Sequence, residues 1–189
     1  KALPQYVAMA VEAGARDVIV QTNGHLLDSE AVLAPYLPFR DQLGIGFSLH
    51  AFDPRLSDLM TGVWNVPKIP LAQRFAEGAP PLELPPPNVA LSGRLERKVR
   101  AIDLAVELGF RVKITCVVMR PNLAQVPSFA DACWERWGAR LERLQFSYAM
   151  PRGNAWLNKE LVLPFSDCVG PFSHAFELGR RTGLRVETS

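Results

Sequence analysis

The sequence has few cysteines and no long apolar run. The first argues against a disulfide-stabilised fold and the second against a membrane-spanning helix. Cys116, Cys133 and Cys168 are widely spaced and odd in number, which argues against a disulfide framework and fits a reducing cytoplasm. No apolar run approaches the roughly 18 residues that span a bilayer, and no signal peptide is visible. We therefore expect a cytoplasmic protein that has no membrane partner.

Neither sign of charge is in excess. The chain has 21 Lys and Arg against 19 Asp and Glu, a net charge of +2 over 189 residues, so nothing indicates a nucleic acid as partner. With 48% hydrophobic residues, the chain is long enough for one domain with a real core. We expect a single domain over residues 1–189, with the true amino terminus upstream of Lys1.

Strand and helix signals alternate along the chain. β-branched and apolar runs predict strands at 17–21, 44–49, 111–118, 143–148 and 184–187. Helical spacing with start and stop residues predicts helices at 4–14, 29–35, 54–60, 93–108, 123–137 and 166–182. This alternation is typical of an α/β fold with a parallel sheet and right-handed crossovers, in which ligand groups follow the carboxyl ends of the strands.

One segment interrupts the alternation. Residues 63–92 hold seven of the sixteen prolines, and such a run fits neither a central strand nor a helix interior. The segment is predicted to be an inserted loop. It is either a surface excursion or a lid and substrate contact over the site.

The predicted strands have one polar and one apolar face. Lys113 and Thr115 alternate with apolar residues, as do Ser48 and His50 on the preceding strand. Because helices cover the apolar faces of parallel strands, we expect the polar faces to line a barrel interior. Unpaired polar groups are costly there, so the polar faces indicate a small charged ligand.

Six short motifs occur in one order, each at the end of a predicted strand or in the turn after it. Together they resemble radical S-adenosylmethionine (SAM) enzymes over roughly residues 4–187. The resemblance implies a partial (β/α)6 TIM-like barrel without its first two βα units. The motifs are Thr22-Asn23-Gly24, Phe47-Ser48-Leu49-His50-Ala51, Thr61-Gly62, Val112-Lys113-Ile114-Thr115, Arg120-Pro121-Asn122 and Pro151-Arg152-Gly153-Asn154-Ala155.

The resemblance also implies an activity. Members of this family use a [4Fe–4S] cluster to cleave SAM reductively, and the resulting 5′-deoxyadenosyl radical abstracts a hydrogen from the substrate. The expected partners are a small-molecule or peptide substrate and an electron donor such as a flavodoxin or ferredoxin.

Candidate site residues follow from the matching motifs, and none is assigned a catalytic or metal-binding role. His50 and Arg120 would face the substrate or the SAM carboxylate, which a guanidinium matches well; a hydrogen-bonded structural role is the alternative for His50. By resemblance, SAM would contact Thr22, Asn23, Ser48, Lys113, Thr115 and Met150, with Lys113 and Thr115 near its methionyl or ribose part and Met150 near its adenine.

Two family motifs are missing from this sequence. No C-x-x-x-C-x-x-C occurs, and no Gly-Gly-Glu-Pro-like turn. Cys116 and Cys133 are predicted to be small core residues, whereas the position of Cys168 is ambiguous. We therefore expect the chain to be an inactive fragment whose cluster ligands lie upstream.

Two other classes of function stay open at the level of sequence. One is a non-radical βα-barrel lyase or aldolase that uses Lys113 as a Schiff-base amine. The other is a degenerate barrel that binds a ligand without catalysis.

Overall fold

A computed structural model describes residues 2–61, 90–150 and 161–189. Within these ranges five strands form one parallel sheet and follow one another in chain order across it. The strands are β1 (Val18–Thr22), β2 (Leu43–Ser48), β3 (Arg111–Val118), β4 (Leu141–Tyr148) and β5 (Val186–Thr188). The predicted α/β class and parallel sheet are confirmed. The finer prediction of a partial (β/α)6 TIM-like barrel stays a prediction.

The same ranges contain six α-helices. They are α1 (Leu3–Glu12), α2 (Glu30–Leu33), α3 (Pro54–Met60), α4 (Arg94–Glu107), α5 (Val126–Trp137) and α6 (Phe165–Thr182). Among these helices, none combines the length and apolar character needed to cross a bilayer. Most of the proline-rich insertion (63–89), Gly62 and the motif at 151–155 lie outside the described residues.

Two predicted helices are only partly α-helical, and in both the change between 3-10 and α-helix lies next to a proline. The helix predicted at 29–35 is α-helical only over Glu30–Leu33 and continues as a 3-10 helix over Ala34–Phe39, which contains Pro35 at its start and Pro38 inside it. A proline inside a helix removes one amide donor and disfavours the α-helical ladder. The helix predicted at 123–137 likewise begins with a 3-10 turn and becomes α-helical at Val126, with a proline in its first turn.

The last two strands were placed wrongly by one or two residues. β4 begins at Leu141 rather than 143, and β5 spans Val186–Thr188 rather than 184–187. The register shifts between Val112, opposite Leu141, and Lys113, opposite Arg143, so Glu142 is an extra residue in β4. The bulge places two polar residues, Glu142 and Arg143, in succession. A prediction based on strict polar–apolar alternation therefore misses the start of this strand.

The core lies between one face of the sheet and the helices. Alternate residues of β2, β3 and β4 point into it and are almost completely buried, among them Phe47, Ile114, Cys116, Leu144 and Phe146. Burying a large apolar side chain contributes roughly 1.5–3 kcal/mol, so this face holds the sheet against the helices. The predicted core position of Cys116 is confirmed, and the opposite face of the sheet is left for polar residues.

Candidate functional site

The amino-terminal half of the polar face carries a network of ion pairs. Lys113 Nζ lies 3.1 Å from Glu142 Oε1, and Arg111 Nε lies 3.8 Å from Glu142 Oε2. Arg111 also pairs with Asp17, just before β1. The bulge in β4 therefore supplies the carboxylate that two cations of β3 share.

Lys113 is buried in this network, with 6% of its surface exposed. Its ion-pair partner is a carboxylate, whereas lysine nucleophiles are activated by an apolar pocket or a neighbouring cation. The pairing with Glu142 therefore does not favour the Schiff-base alternative. The predicted contact between Lys113 and SAM stays a prediction.

The carboxyl-terminal half of the same face carries neutral polar side chains. Gln21 Nε2 lies 3.5 Å from Thr115 Oγ1, at the outer limit of a hydrogen bond. The Gln21 side chain passes over Gly46 of β2, where a Cβ atom would come within 2.1 Å of Gln21 Oε1. Ser48 lies opposite Thr115 in the sheet. We call this surface the polar half-face; its members are Gln21, Ser48, Thr115, Gln145, Ser147 and Ser189.

On the polar half-face, hydrogen bonds link side chains of β4 to the residue that follows β5. Ser147 Oγ and Ser189 Oγ are 2.9 Å apart, and Gln145 Nε2 donates to Ser189 Oγ at 3.0 Å. Gln145, Ser147 and Ser189 all remain at least partly exposed to solvent. The surface can therefore offer hydroxyl and amide groups to a polar, uncharged part of a ligand.

Gln21 reaches this surface in place of the predicted Thr22. Thr22 lies on the helix-covered side, in register with Phe47, and its hydroxyl accepts a hydrogen bond of 3.1 Å from the Gly24 amide. Asn23 is exposed in the turn that follows. Strand alternation could have identified Gln21. It lies on the same face of β1 as the exposed Ile19, whereas Val18 and Val20 face the core.

His50 extends the hydrogen bonding between β2 and β3 past the end of β2. Its Nδ1 accepts a hydrogen bond of 3.2 Å from the Val117 amide, so the neutral ring carries its hydrogen on Nε2. Burial, assisted by the positive charge of Lys98, lowers the pKa of His50 to about 4. His50 is therefore an uncharged hydrogen-bond donor at neutral pH. The hydrogen-bonded role is confirmed, whereas contact with a ligand stays a prediction.

Asn122 is a structural residue of the site that was not singled out from the sequence, although it belongs to one of the motifs. Its side chain is 1% exposed. Nδ2 donates to the carbonyl oxygens of His50 (3.0 Å) and Val117 (2.9 Å), and Oδ1 accepts from the Met119 amide (2.8 Å). Asn122 thus fixes the loop after β3 against the end of β2.

Lys98, on α4, is a second residue that the sequence reasoning missed. It is 2% exposed and lies between Leu95 and Ile102 on the apolar stripe of the helix, which was the signal available in the sequence. Burial and, to a lesser degree, the charge of Arg94 lower the pKa of Lys98 to about 8. A perturbed lysine close to the ends of the strands marks a candidate functional group.

The other two predicted residues lie at separate loops. Arg120 is exposed, and its guanidinium donates to the Val162 carbonyl oxygen at 3.2 Å. Met150 follows β4 and is 54% exposed. The roles assigned to Arg120 and Met150 stay predictions.

The cysteines of the chain do not fit an iron–sulfur cluster. Cys116, Cys133 and Cys168 are buried in β3, α5 and α6, and burial raises the pKa of each thiol. Thiolates are the ligands that a cluster needs. In the described ranges no three His, Cys, Asp or Glu side chains come together as a metal site.

The comparisons with known proteins show a fold and no family. No protein-family model matches the sequence, and no curated protein matches it. The fold is similar to that of Streptococcus suis SuiB, as seen in its crystal structure bound to the precursor peptide SuiA, with a TM-score of 0.67 and 13% sequence identity. The likeness covers 99% of this chain and 35% of the SuiB chain. The comparison therefore shows a shared fold, and this chain spans about a third of that neighbour.

Proposed function

We propose that this chain is part of a radical SAM enzyme that abstracts a hydrogen atom from a peptide substrate. The observation that carries the proposal is the likeness of fold to SuiB, a radical SAM peptide-modifying enzyme, over 99% of this chain. The six motifs support it independently, because they were matched from the sequence alone. A peptide is favoured over a small molecule because the neighbour binds a precursor peptide.

The described residues fit SAM better than they fit the cluster. Gln21, Ser48 and Thr115 offer amide and hydroxyl groups from three neighbouring strands, a donor set suited to ribose hydroxyls and to an amino acid head group. The buried thiols offer nothing comparable for iron, so ligands for the cluster would come from outside this chain. When bound, SAM and the cluster supply the radical, with an electron from a flavodoxin or ferredoxin.

What the chain itself contributes is orientation. Asn122 and His50 hold the ends of β2 and β3 in one arrangement, and Gln21 joins β1 to it through Thr115. A reactive radical requires that its target be held within contact distance. The proposed task of these residues is to fix the polar half-face so that SAM and the peptide meet there.

The test is the anaerobic formation of 5′-deoxyadenosine by the full-length protein that carries this chain. The protein, loaded with iron and sulfide, is mixed with SAM and dithionite, and the nucleoside is quantified by chromatography. The Gln21→Leu/Thr115→Val variant should raise the KM for SAM. The control Ser128→Ala changes an exposed hydroxyl on α5 and should leave the KM unchanged. Absence of 5′-deoxyadenosine from protein with full cluster content would refute the proposal and favour the non-catalytic alternative.

A further inference from the structure

Backbone hydrogen bonds hold Ser189 beside Ser147 of β4. The Ser189 amide donates to the Phe146 carbonyl oxygen at 3.0 Å, and the Tyr148 amide donates to the Ser189 carbonyl oxygen at 2.8 Å. These two bonds lie on either side of Ser147, whose hydroxyl oxygen is 2.9 Å from that of Ser189. The pairing of the two hydroxyls therefore follows from the register of the sheet.

Gln145, Ser147 and Ser189 form a chain of hydrogen bonds that leaves one donor and one acceptor unused. Gln145 Nε2 donates to Ser189 Oγ, and one serine hydroxyl donates to the other. Since each hydroxyl has a single hydrogen, one hydroxyl hydrogen stays free, and within the described residues Gln145 Oε1 accepts no hydrogen bond. Exchanging the amide oxygen and nitrogen of Gln145 again leaves at least one donor and one acceptor.

The charged side chains that adjoin Gln145 on this face are paired with one another. Glu187 lies opposite Gln145 in the sheet. Its Oε2 atom is 2.6 Å from Arg143 and its Oε1 atom is 2.5 Å from Arg185. A charged ligand group would lose hydration here without gaining a free opposite charge, whereas a neutral polar group would exchange water for equivalent hydrogen bonds.

From this arrangement we infer that Gln145, Ser147 and Ser189 form a subsite for an uncharged amide group of the peptide substrate. An amide carries one carbonyl acceptor and at least one N–H donor, which complement the unused donor and acceptor of the three side chains. Val117 lies opposite Ser147 and offers an apolar contact to the carbon atoms next to the amide. The amide is that of an Asn or Gln side chain or of the peptide backbone.

The inference deepens the proposed function and rests on it for the choice of a peptide. The preference for a neutral amide rests only on the three side chains and the paired charges beside them. The two parts can therefore fail independently.

The first test compares peptides that have similar shapes and differ in polarity. Binding of Ac-Ala-Ala-Asn-Ala-Ala-NH2 to the full-length protein with SAM present is measured by calorimetry, beside the same peptide with Leu or Asp in place of Asn. Two neutral hydrogen bonds predict that the Asn peptide binds about tenfold more tightly than the Leu peptide. The Asp peptide should bind no more tightly than the Leu peptide.

The second test removes the two hydroxyls, which lie at positions outside the core. Ser147→Ala/Ser189→Ala should reduce the affinity for the Asn peptide to that for the Leu peptide, and Ser147→Thr, which keeps a hydroxyl, should retain part of the preference. Thr188→Val is the matched control. Thr188 is exposed on β5 and lies opposite Phe146, on the other face of the sheet, so its replacement should leave all three affinities unchanged.

The outcomes separate the two sources of the amide from failure of the inference. If the three peptides bind equally and the double variant weakens all of them alike, the subsite binds a backbone amide. A preference for Asp over Asn, no measurable binding of the Asn peptide, or affinities that the double variant leaves unchanged would overturn the subsite.

SAM binding and the proposed activity are measured in the same variants. If Ser147→Ala/Ser189→Ala weakens SAM binding alone, the three side chains serve the cofactor and the inference is wrong. If the preference for the amide depends on the two serines while no 5′-deoxyadenosine forms, the subsite stands and the radical activity fails. If 5′-deoxyadenosine forms and the preference is absent, the proposed function stands without the subsite.

Discussion

The side-chain amide of Asn122 donates a hydrogen bond of 3.0 Å to the backbone carbonyl oxygen of His50. This bond joins the loop after β3 to the residue two positions beyond β2, in a place where the regular hydrogen bonding of the sheet has ended. The ring of His50 makes the reciprocal link to the Val117 amide. One short cross-linked segment thus fixes the carboxyl ends of two central strands.

Asn122→Ala should destabilise the protein by about 2–4 kcal/mol, since it leaves the buried polar groups of three residues without their partner. The free energy of unfolding is measured by chemical denaturation. Asn23→Ala is the matched control: Asn23 is exposed, and its replacement should change stability by less than about 0.5 kcal/mol. Equal effects of the two substitutions would contradict the role of Asn122.

Lys98→Met should stabilise the protein at neutral pH. The pKa of Lys98 is lowered from 10.5 to about 8 in the folded state, which corresponds to a penalty of roughly 3 kcal/mol for the protonated form. Between pH 8 and 10.5 the unfolded chain binds more protons at this residue, so wild-type stability should rise with pH across that window. The variant should lack this rise.

The measurement for Lys98 is the difference in unfolding free energy between variant and wild type at pH 7 and pH 10. Arg100→Met serves as the control for loss of a cation on α4. A Lys98→Met protein less stable than wild type at pH 7, or a difference that does not shrink towards pH 10, would show that burial does not destabilise the protonated form of Lys98.

His50→Asn should make the protein more tolerant of acid. Since the pKa of His50 is lowered from 6.5 to about 4, the unfolded state takes up a proton first, and stability falls as pH decreases from 6.5 to 4. The contribution is about 3 kcal/mol. Asparagine can accept the Val117 hydrogen bond but does not titrate, whereas His50→Ala should also lose stability at neutral pH. If the free energies of unfolding of His50→Asn and of the wild type decrease by the same amount as the pH falls from 6.5 to 4, the lowered pKa of His50 is refuted.

Gly46→Ala should disturb the polar half-face through Gln21. A Cβ atom at residue 46 would come within 2.1 Å of Gln21 Oε1, so the Gln21 side chain must leave Thr115, at a cost of about 1 kcal/mol. The cost should shrink in a Gln21→Ala background, as a double-mutant cycle of unfolding free energies would show. Gly44→Ala is the control, because its nearest contact would be an ordinary 3.4 Å. A cost at Gly46 that is independent of Gln21 would rule out the clash.

Much of the fold could be predicted from sequence because its signals are local. The runs at 44–49 and 111–118 identified β2 and β3 to within a residue or so, and their apolar faces placed Cys116 in the core. The prediction failed where one residue changes the periodicity. Glu142 interrupts the alternation in β4, and the α-helix that begins at Glu30 gives way to a 3-10 helix where Pro35 follows.

The candidate site was less predictable because its important residues act across long separations in sequence. Lys98 lies close to the turn at Gly24 only because α4 packs there. Asn122 matters through a bond to His50, 72 residues away. Neither contact can be inferred from the spacing of residues along the chain. The sequence does show a lysine on an apolar helical stripe and an asparagine in one of the motifs.

The bond between Asp58 and Ser92 has an evolutionary consequence. It brings the residues on either side of positions 59–91 next to each other, so the chain between them departs from one point of the fold and returns to it. When the two ends of a chain segment are held together, each doubling of the segment's length adds only about 0.6 kcal/mol to the entropic cost of closing it. Insertions or deletions between Asp58 and Ser92 are therefore expected to leave α3, α4 and the sheet in their positions.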